Sequence, residues 1–184
     1  MELTAVILSG LSLAIAVVGT SLANKRSKEA LDESRKAAAT AIWSAVQQAV
    51  QRFIGFDPTT EPIGSRLADF RIATIALVDE LDGWEGLDTW LESERTLGAI
   101  LGRQVMESAR PGDSIDDRLA NLDPYQRWAQ VLGQNLRRFR KVGFEPAAAS
   151  QLQASAEDQI RAISAKHGWE LPPTELPGLS PIDL

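Results

Sequence analysis

The sequence has no cysteine, and His167 is the one histidine among its 184 residues. The absence of cysteine excludes disulfides, thiolate nucleophiles and cysteine-ligated metals. A single histidine argues against a catalytic triad, a histidine-rich metal site or a pair of histidine bases. His167 precedes Gly168 at a predicted helix end, where a structural role is the simpler interpretation. We therefore predict that the chain is not an enzyme and that it holds no metal or cofactor.

An excess of basic residues is also absent, because the formal net charge is −6. Phosphate binding requires a basic surface, so nucleic acid is not a predicted partner. The acidic group of Asp79, Glu80, Asp82 and Glu85 does not match the ligand spacing of a calcium loop, and we interpret it as a solvated helix end. Asp113, Asp116 and Asp117 surround a predicted helix start and fit capping roles. Nothing in the sequence predicts a small-molecule ligand.

Charge is missing altogether from residues 3–23, LTAVILSGLSLAIAVVGTSLA. A helix of this length spans about 31 Å, close to the thickness of the hydrocarbon core of a bilayer. The pattern predicts a single transmembrane anchor. Two alternatives remain open: a cleaved signal peptide, for which Ser21-Leu22-Ala23 offers a cleavage site, and a buried helix of a soluble core.

The basic residues Lys25, Arg26 and Lys28 follow this apolar stretch. Cationic flanks stay on the cytoplasmic side of a membrane, so the expected localisation is a cell membrane, single-pass, with the N-terminus outside and the C-terminal domain cytoplasmic. Small residues recur along one side of the stretch at spacings of three and four, which is typical of close helix–helix contact in lipid. They predict self-association or docking on another membrane helix, with a chance stripe as the alternative: Ala5, Ser9, Ser12, Ala16, Gly19 and Ala23.

Alternation with a period of two, the mark of a strand, is absent from the rest of the chain, and helical periodicity predominates. The predicted fold is all-α: an N-terminal single transmembrane helix that continues as a polar stalk into a small cytoplasmic α-helical domain, a helical bundle. The predicted divisions are the anchor at 1–23, the polar helical stalk at 24–36, the α-helical domain at 37–168 and a Pro-rich extended tail at 169–184.

Caps and breakers divide the predicted domain into helices. The first helix continues to Gly55, and its apolar residues pack either on the following helices or in a coiled-coil interface. Ser65 is a plausible N-cap, Ser114 and Asp117 resemble a capping box, and Asp123-Pro124 is a typical helix start. The remaining helices are predicted at 65–81, 88–108, 114–122, 123–142 and 146–166.

Four basic residues, Arg137, Arg138, Arg140 and Lys141, crowd one helix end and point away from the apolar stripe of that helix. They fit either a favourable interaction with the helix C-terminus or a patch for an anionic partner. The five tryptophans are many for this length, and core packing or a protein interface explains them best.

The function predicted from these features is a membrane-anchored interaction or scaffold module that self-associates or binds a membrane protein. One alternative is a membrane-active phage or toxin-like effector. Another is an enzyme without a recognisable catalytic motif. Arginine outnumbers lysine and alanine is abundant, which favours a GC-rich bacterial or phage gene.

Overall fold

The computed structural model describes the backbone of residues 2–81 and 83–171 and the side chains of residues 26–81 and 83–171. Within these residues the chain is all-α and contains no strand, which confirms the predicted fold class at that level. Asp82 and most of the Pro-rich tail, residues 172–184, lie outside the described residues. The five helices are α1 (Glu2–Gln51), α2 (Gly64–Glu80), α3 (Leu87–Ser108), α4 (Ile115–Val142) and α5 (Pro146–His167).

The chain divides into two compact units, Met1–Ala41 and Ile42–Leu184. In the first unit, α1 is exposed at every position from Arg26 to Ala38. This exposure agrees with a sequence segment that is polar all round and has no apolar face to bury. The last residues of α1 and all the other helices belong to the second unit.

The predicted localisation requires correction. A helix crosses a bilayer only if about 20 consecutive residues are predominantly apolar. In the part of the chain that the structure describes, no helix is both long and apolar enough to do so. This finding conflicts with a single-pass membrane protein, and we withdraw that localisation. The predicted small-residue interface at Ala5, Ser9, Ser12, Ala16, Gly19 and Ala23 lies outside the described side chains.

The core of the second unit forms around α3, whose backbone approaches α2, α4 and α5. The end of α1 contributes Val46 and Val50, and the turn that follows it contributes Phe53; all three are fully buried within the same chain. This burial favours intramolecular packing over the alternative of a coiled-coil interface. The apolar faces of α2 and α3 are largely buried, whereas Met106 near the end of α3 is 44% exposed.

Local signals placed most helix ends correctly. Ser114 and Asp117 form the predicted capping box, since the Ser114 hydroxyl accepts from the Asp117 backbone N–H and the Asp117 carboxylate accepts from the Ser114 N–H. Gly143 ends α4, and α5 begins at Pro146 as predicted. The predicted cap at Ser65 was wrong, because Ile63 occupies the N-cap of α2 and no side chain caps that helix.

The predicted helix start at Asp123-Pro124 was also wrong. Pro124 lies inside α4, which runs without a break from Ile115 to Val142. A proline lacks one backbone donor, but its fixed φ is compatible with a helix, so the chain can continue through it at the cost of one hydrogen bond. The burial of Tyr125 and Trp128 directly after it stabilises the continuous helix.

Candidate functional site

A carboxylate lies in the core of the second unit, at Glu94 on α3. Its side chain is only 6% exposed, and each oxygen accepts one hydrogen bond from an indole. Trp90, one turn earlier on the same helix, donates from Nε1 to Oε1 at 3.0 Å. Trp128 on α4 donates from Nε1 to Oε2 at 2.8 Å. The buried Trp128 bond therefore joins α3 to α4, whereas the buried Trp90 bond lies within α3.

The electrostatics of Glu94 are unusual because no cation among the described residues compensates the carboxylate. In the described part of the chain, no Lys, Arg or His lies within ion-pair distance of it. Burial raises the pKa of Glu94, since a charge loses its hydration in the interior, and the two indole hydrogen bonds partly oppose that rise. An uncompensated buried carboxylate is costly, so its retention in a core suggests a use beyond packing.

Packing holds both indoles in place. The Trp90 ring meets Phe139 edge-to-face with centroids 5.3 Å apart. The Trp128 ring contacts Phe53 at 5.2 Å and Tyr125 at 5.6 Å between centroids. Aromatic contacts of this kind fix ring orientation as well as bury surface. The direction of each indole N–H toward Glu94 is consequently set by neighbours from α4 and, for Trp128, also by Phe53 in the turn after α1.

A cleft of about 280 Å³ opens beside Glu94, between α3, α4 and α5. Its walls are mainly apolar and include Leu97, Leu152 and the Trp128 ring. Asn135 also lines the cleft, and its Nδ2 is buried without a hydrogen-bond partner. Buried polar groups in proteins are normally paired, so the unpaired Asn135 amide is a possible donor to a ligand in the cleft that Glu94 also lines.

A second cleft, of about 160 Å³, lies near the turn between α3 and α4. Its acidic residues are engaged in local structure. The Asp113 carboxylate accepts from the Arg110 backbone N–H at 2.8 Å, and the Asp57 carboxylate accepts from the Thr59 backbone N–H at 2.8 Å. These are turn-forming contacts, and they leave Glu94 as the stronger candidate.

The predicted basic patch lies on the last two turns of α4. Arg137, Arg138, Arg140 and Lys141 are all exposed. The one polar contact of the patch within the described residues is the Arg137 Nε bond to the Gly133 carbonyl at 3.1 Å. The opposite side of this part of α4 is buried through Leu136 and Phe139. The four cations therefore share the solvent side of the helix.

The acidic group after α2 and His167, which the sequence also singled out, have surroundings that fit structural roles. Asp79, Glu80 and Glu85 are exposed, and the described residues contain no group of three or more potential ligands that could hold a metal. His167 stacks on Trp169 with centroids 4.4 Å apart, and its Nε2 is buried without a hydrogen-bond partner. Among the described residues, ring stacking on Trp169 is thus the main contact of this histidine at the end of α5.

Glu94 was missed by sequence reasoning, although a signal was present. It falls four residues after Trp90 and three before Leu97, which places it on the buried face of α3. A carboxylate at such a position needs internal donors, and the abundance of tryptophan could have indicated them. Comparison of the chain with protein-family models, with curated proteins and with solved structures gives no match.

Proposed function

We propose that this chain is a protein-interaction module that binds an acidic segment of a partner protein. The observation that supports the proposal is the basic patch of Arg137, Arg138, Arg140 and Lys141, which is exposed and pairs with no carboxylate in the described part of the chain. Elsewhere in the same unit, six arginines form ion pairs: Arg52, Arg66, Arg95, Arg103, Arg127 and Arg161.

Helix stability alone does not account for four cations. Arg140 and Lys141 lie in the last turn of α4, where positive charge complements the helix dipole. Arg137 and Arg138 precede that turn, and the dipole effect weakens beyond it. Adjacent like charges repel each other, so an anionic partner would relieve a cost that the free protein carries.

The chemistry favours a protein partner over nucleic acid. The whole chain carries a net charge of −6, which opposes the approach of a phosphate backbone outside the patch. Val142, next to the patch, is 67% exposed and offers an apolar contact to a peptide that mixes acidic and aliphatic residues. Self-association remains a prediction that no observation on the described residues favours.

The test is fluorescence anisotropy of a labelled peptide of alternating glutamate and leucine, titrated with the full chain at low and high salt. The double variant Arg138→Glu/Arg140→Glu should weaken binding by about tenfold or more, because charge reversal turns attraction into repulsion. Arg26→Glu/Arg35→Glu is the matched control, since it changes the net charge equally at two exposed positions of α1. It should retain most of the affinity.

Equal losses in the two double variants would show that only overall charge matters, and would contradict a local site. Binding of a DNA duplex through the patch, with no binding of the peptide, would replace the proposal with a nucleic-acid function. Affinity that does not fall with salt would also contradict it, because exposed charge pairs are screened.

A further inference from the structure

The hydrogen bonding of Glu94 is incomplete. An ionised carboxylate has about four acceptor positions, and the two indole N–H groups occupy one on each oxygen. The negative charge has no cation near it within the described residues. The residue is 6% exposed and lines the cleft, so a ligand in the cleft would contact it.

We propose that the cleft between α3, α4 and α5 binds a small organic cation, whose ammonium group donates to the Glu94 carboxylate and whose apolar body contacts Trp128, Leu97 and Leu152. The ligand should be positively charged because the buried Glu94 carboxylate that lines the cleft is negatively charged. A cation at Glu94 would supply the positive charge that the described residues do not place near it, and desolvated opposite charges attract strongly.

An anionic ligand does not fit the same cleft. Among the described residues, the one basic side chain that lines it is Arg127, which is 75% exposed and already pairs with Asp123 at 2.8 Å. Its guanidinium is therefore at the rim and engaged. An anion would instead meet the uncompensated Glu94 carboxylate, and repulsion between like charges would exclude it.

The cleft also limits the size and the shape of the ligand. Its volume of about 280 Å³ is at the lower end for a small-molecule site. The indole of Trp128 offers a face on which a cation or an aromatic ring gains additional attraction. Asn135 provides an unpartnered amide nitrogen, which a hydroxyl or carbonyl oxygen on the ligand would satisfy. An amine with a short apolar body and one acceptor oxygen combines these features.

The experiment compares three molecules of similar shape: 2-phenylethylammonium, 2-phenylethanol and phenylacetate. Each is titrated into the ¹⁵N-labelled full chain near neutral pH, and the indole Nε1–H resonances of Trp90 and Trp128 are followed by NMR. These two groups donate directly to Glu94, so they report on any cation that binds it. Saturable shifts of both resonances with the ammonium compound, and binding at least tenfold weaker for the other two, are expected.

Glu94→Gln should abolish the preference for the cation, because it removes the charge with little change in volume. Glu92→Gln is the control on the same helix, since Glu92 pairs with Arg95 away from the indoles and its loss should leave the titration unchanged. Leu152→Trp is an independent variant that leaves Glu94 intact and fills the cleft, and it should block binding.

Equal shifts with the alcohol or the acid would overturn the proposal, as would no saturable shift with the ammonium compound. Unchanged binding in Leu152→Trp would overturn the assignment to this cleft even if Glu94→Gln does not fold. The basic patch on α4 does not enter this experiment, so a failure here is distinct from a failure of the proposed interaction function.

Discussion

Gly98 of α3 lies directly against the indole of Trp128 on α4. A Cβ atom built on Gly98 would be 2.4 Å from Cη2 and 2.6 Å from Cζ2 of that ring, well inside van der Waals contact. Because Gly98 has no side chain, the large ring fits between the two helices and its Nε1 reaches Glu94. Glu94 and Gly98 are four residues apart, so one turn of α3 supplies both the acceptor and the space.

The first prediction concerns Gly98→Ala. Alanine is the better helix former by about 1 kcal/mol, but overpacking a core by one methyl group costs about 1–3 kcal/mol. We expect a net loss of stability, seen as a lower urea midpoint, together with a shift of the Trp128 indole resonance. Gly64→Ala is the control, since a Cβ there meets nothing within 4 Å. A Gly98→Ala protein that is more stable, with an unchanged indole resonance, would contradict the packing described.

The second prediction is the pH dependence that Glu94 confers. Its pKa is raised in the folded state by burial, so the folded protein binds this proton more readily than the unfolded chain does. The buried charge thus destabilises the fold above the folded pKa, and this cost is relieved as the pH falls through the folded pKa toward the ordinary glutamate value. The stability of the wild type relative to Glu94→Gln should therefore rise as the pH is lowered.

The comparison with Glu94→Gln is needed because other carboxylates act in the opposite direction. The hydrogen bond from Arg95 lowers the pKa of Glu92, and that from Ser114 lowers the pKa of Asp117, so both lose stabilising interactions in acid. Urea unfolding of the two proteins across the acidic range isolates the Glu94 contribution. A stability difference that is constant with pH, or that falls in acid, would contradict the prediction.

The third prediction concerns the hydroxyl of Tyr125. This residue is fully buried, its hydroxyl has no hydrogen-bond partner in the structure, and burial raises its pKa. A buried polar group without a partner is unfavourable, so Tyr125→Phe should be neutral or should stabilise the fold by up to about 1 kcal/mol. Phe53→Leu, which alters the same aromatic cluster, is expected to destabilise it. A loss above about 1 kcal/mol in Tyr125→Phe would mean that the hydroxyl is paired.

The fourth prediction concerns Gln126 on α4, whose side-chain amide forms hydrogen bonds with the backbone of the segment that follows α1. Its Oε1 accepts from the Gly55 N–H at 2.8 Å, and its Nε2 donates to the Phe56 carbonyl at 2.9 Å. Gln126→Ala removes both bonds and should cost about 1–3 kcal/mol, measured by urea unfolding. The exposed Gln134→Ala on the same helix is the control and should change stability little. Equal effects of the two changes would rule out a specific role for the bridge.

Local chemistry determined most of the helices of this protein. Helix formation here depends on signals that span only a few residues, such as periodic apolar residues, the Ser114 capping box and Pro146. The predicted ends of α3 and α5 therefore agree with the structure within one residue. Pro124 shows where local reasoning fails. The pair Asp123-Pro124 is compatible both with the start and with the middle of a helix. Burial of the residues that follow it favours the continuous helix that the structure shows. The predicted membrane localisation likewise depended on residues 3–23 considered without the rest of the chain.

The Glu94 site could be decided only by tertiary structure. Periodicity places Trp90 and Glu94 on one face of α3, but Trp128 is 34 residues further along the chain. Its indole reaches the carboxylate because Gly98 leaves space and because the rings of Phe53, after α1, and of Tyr125, on α4, orient it. No local sequence pattern encodes these contacts. The sequence by itself determined which faces of the helices are buried. Packing between the helices determined which polar groups share that interior, because side-chain hydrogen bonds depend on distances that only the folded chain sets.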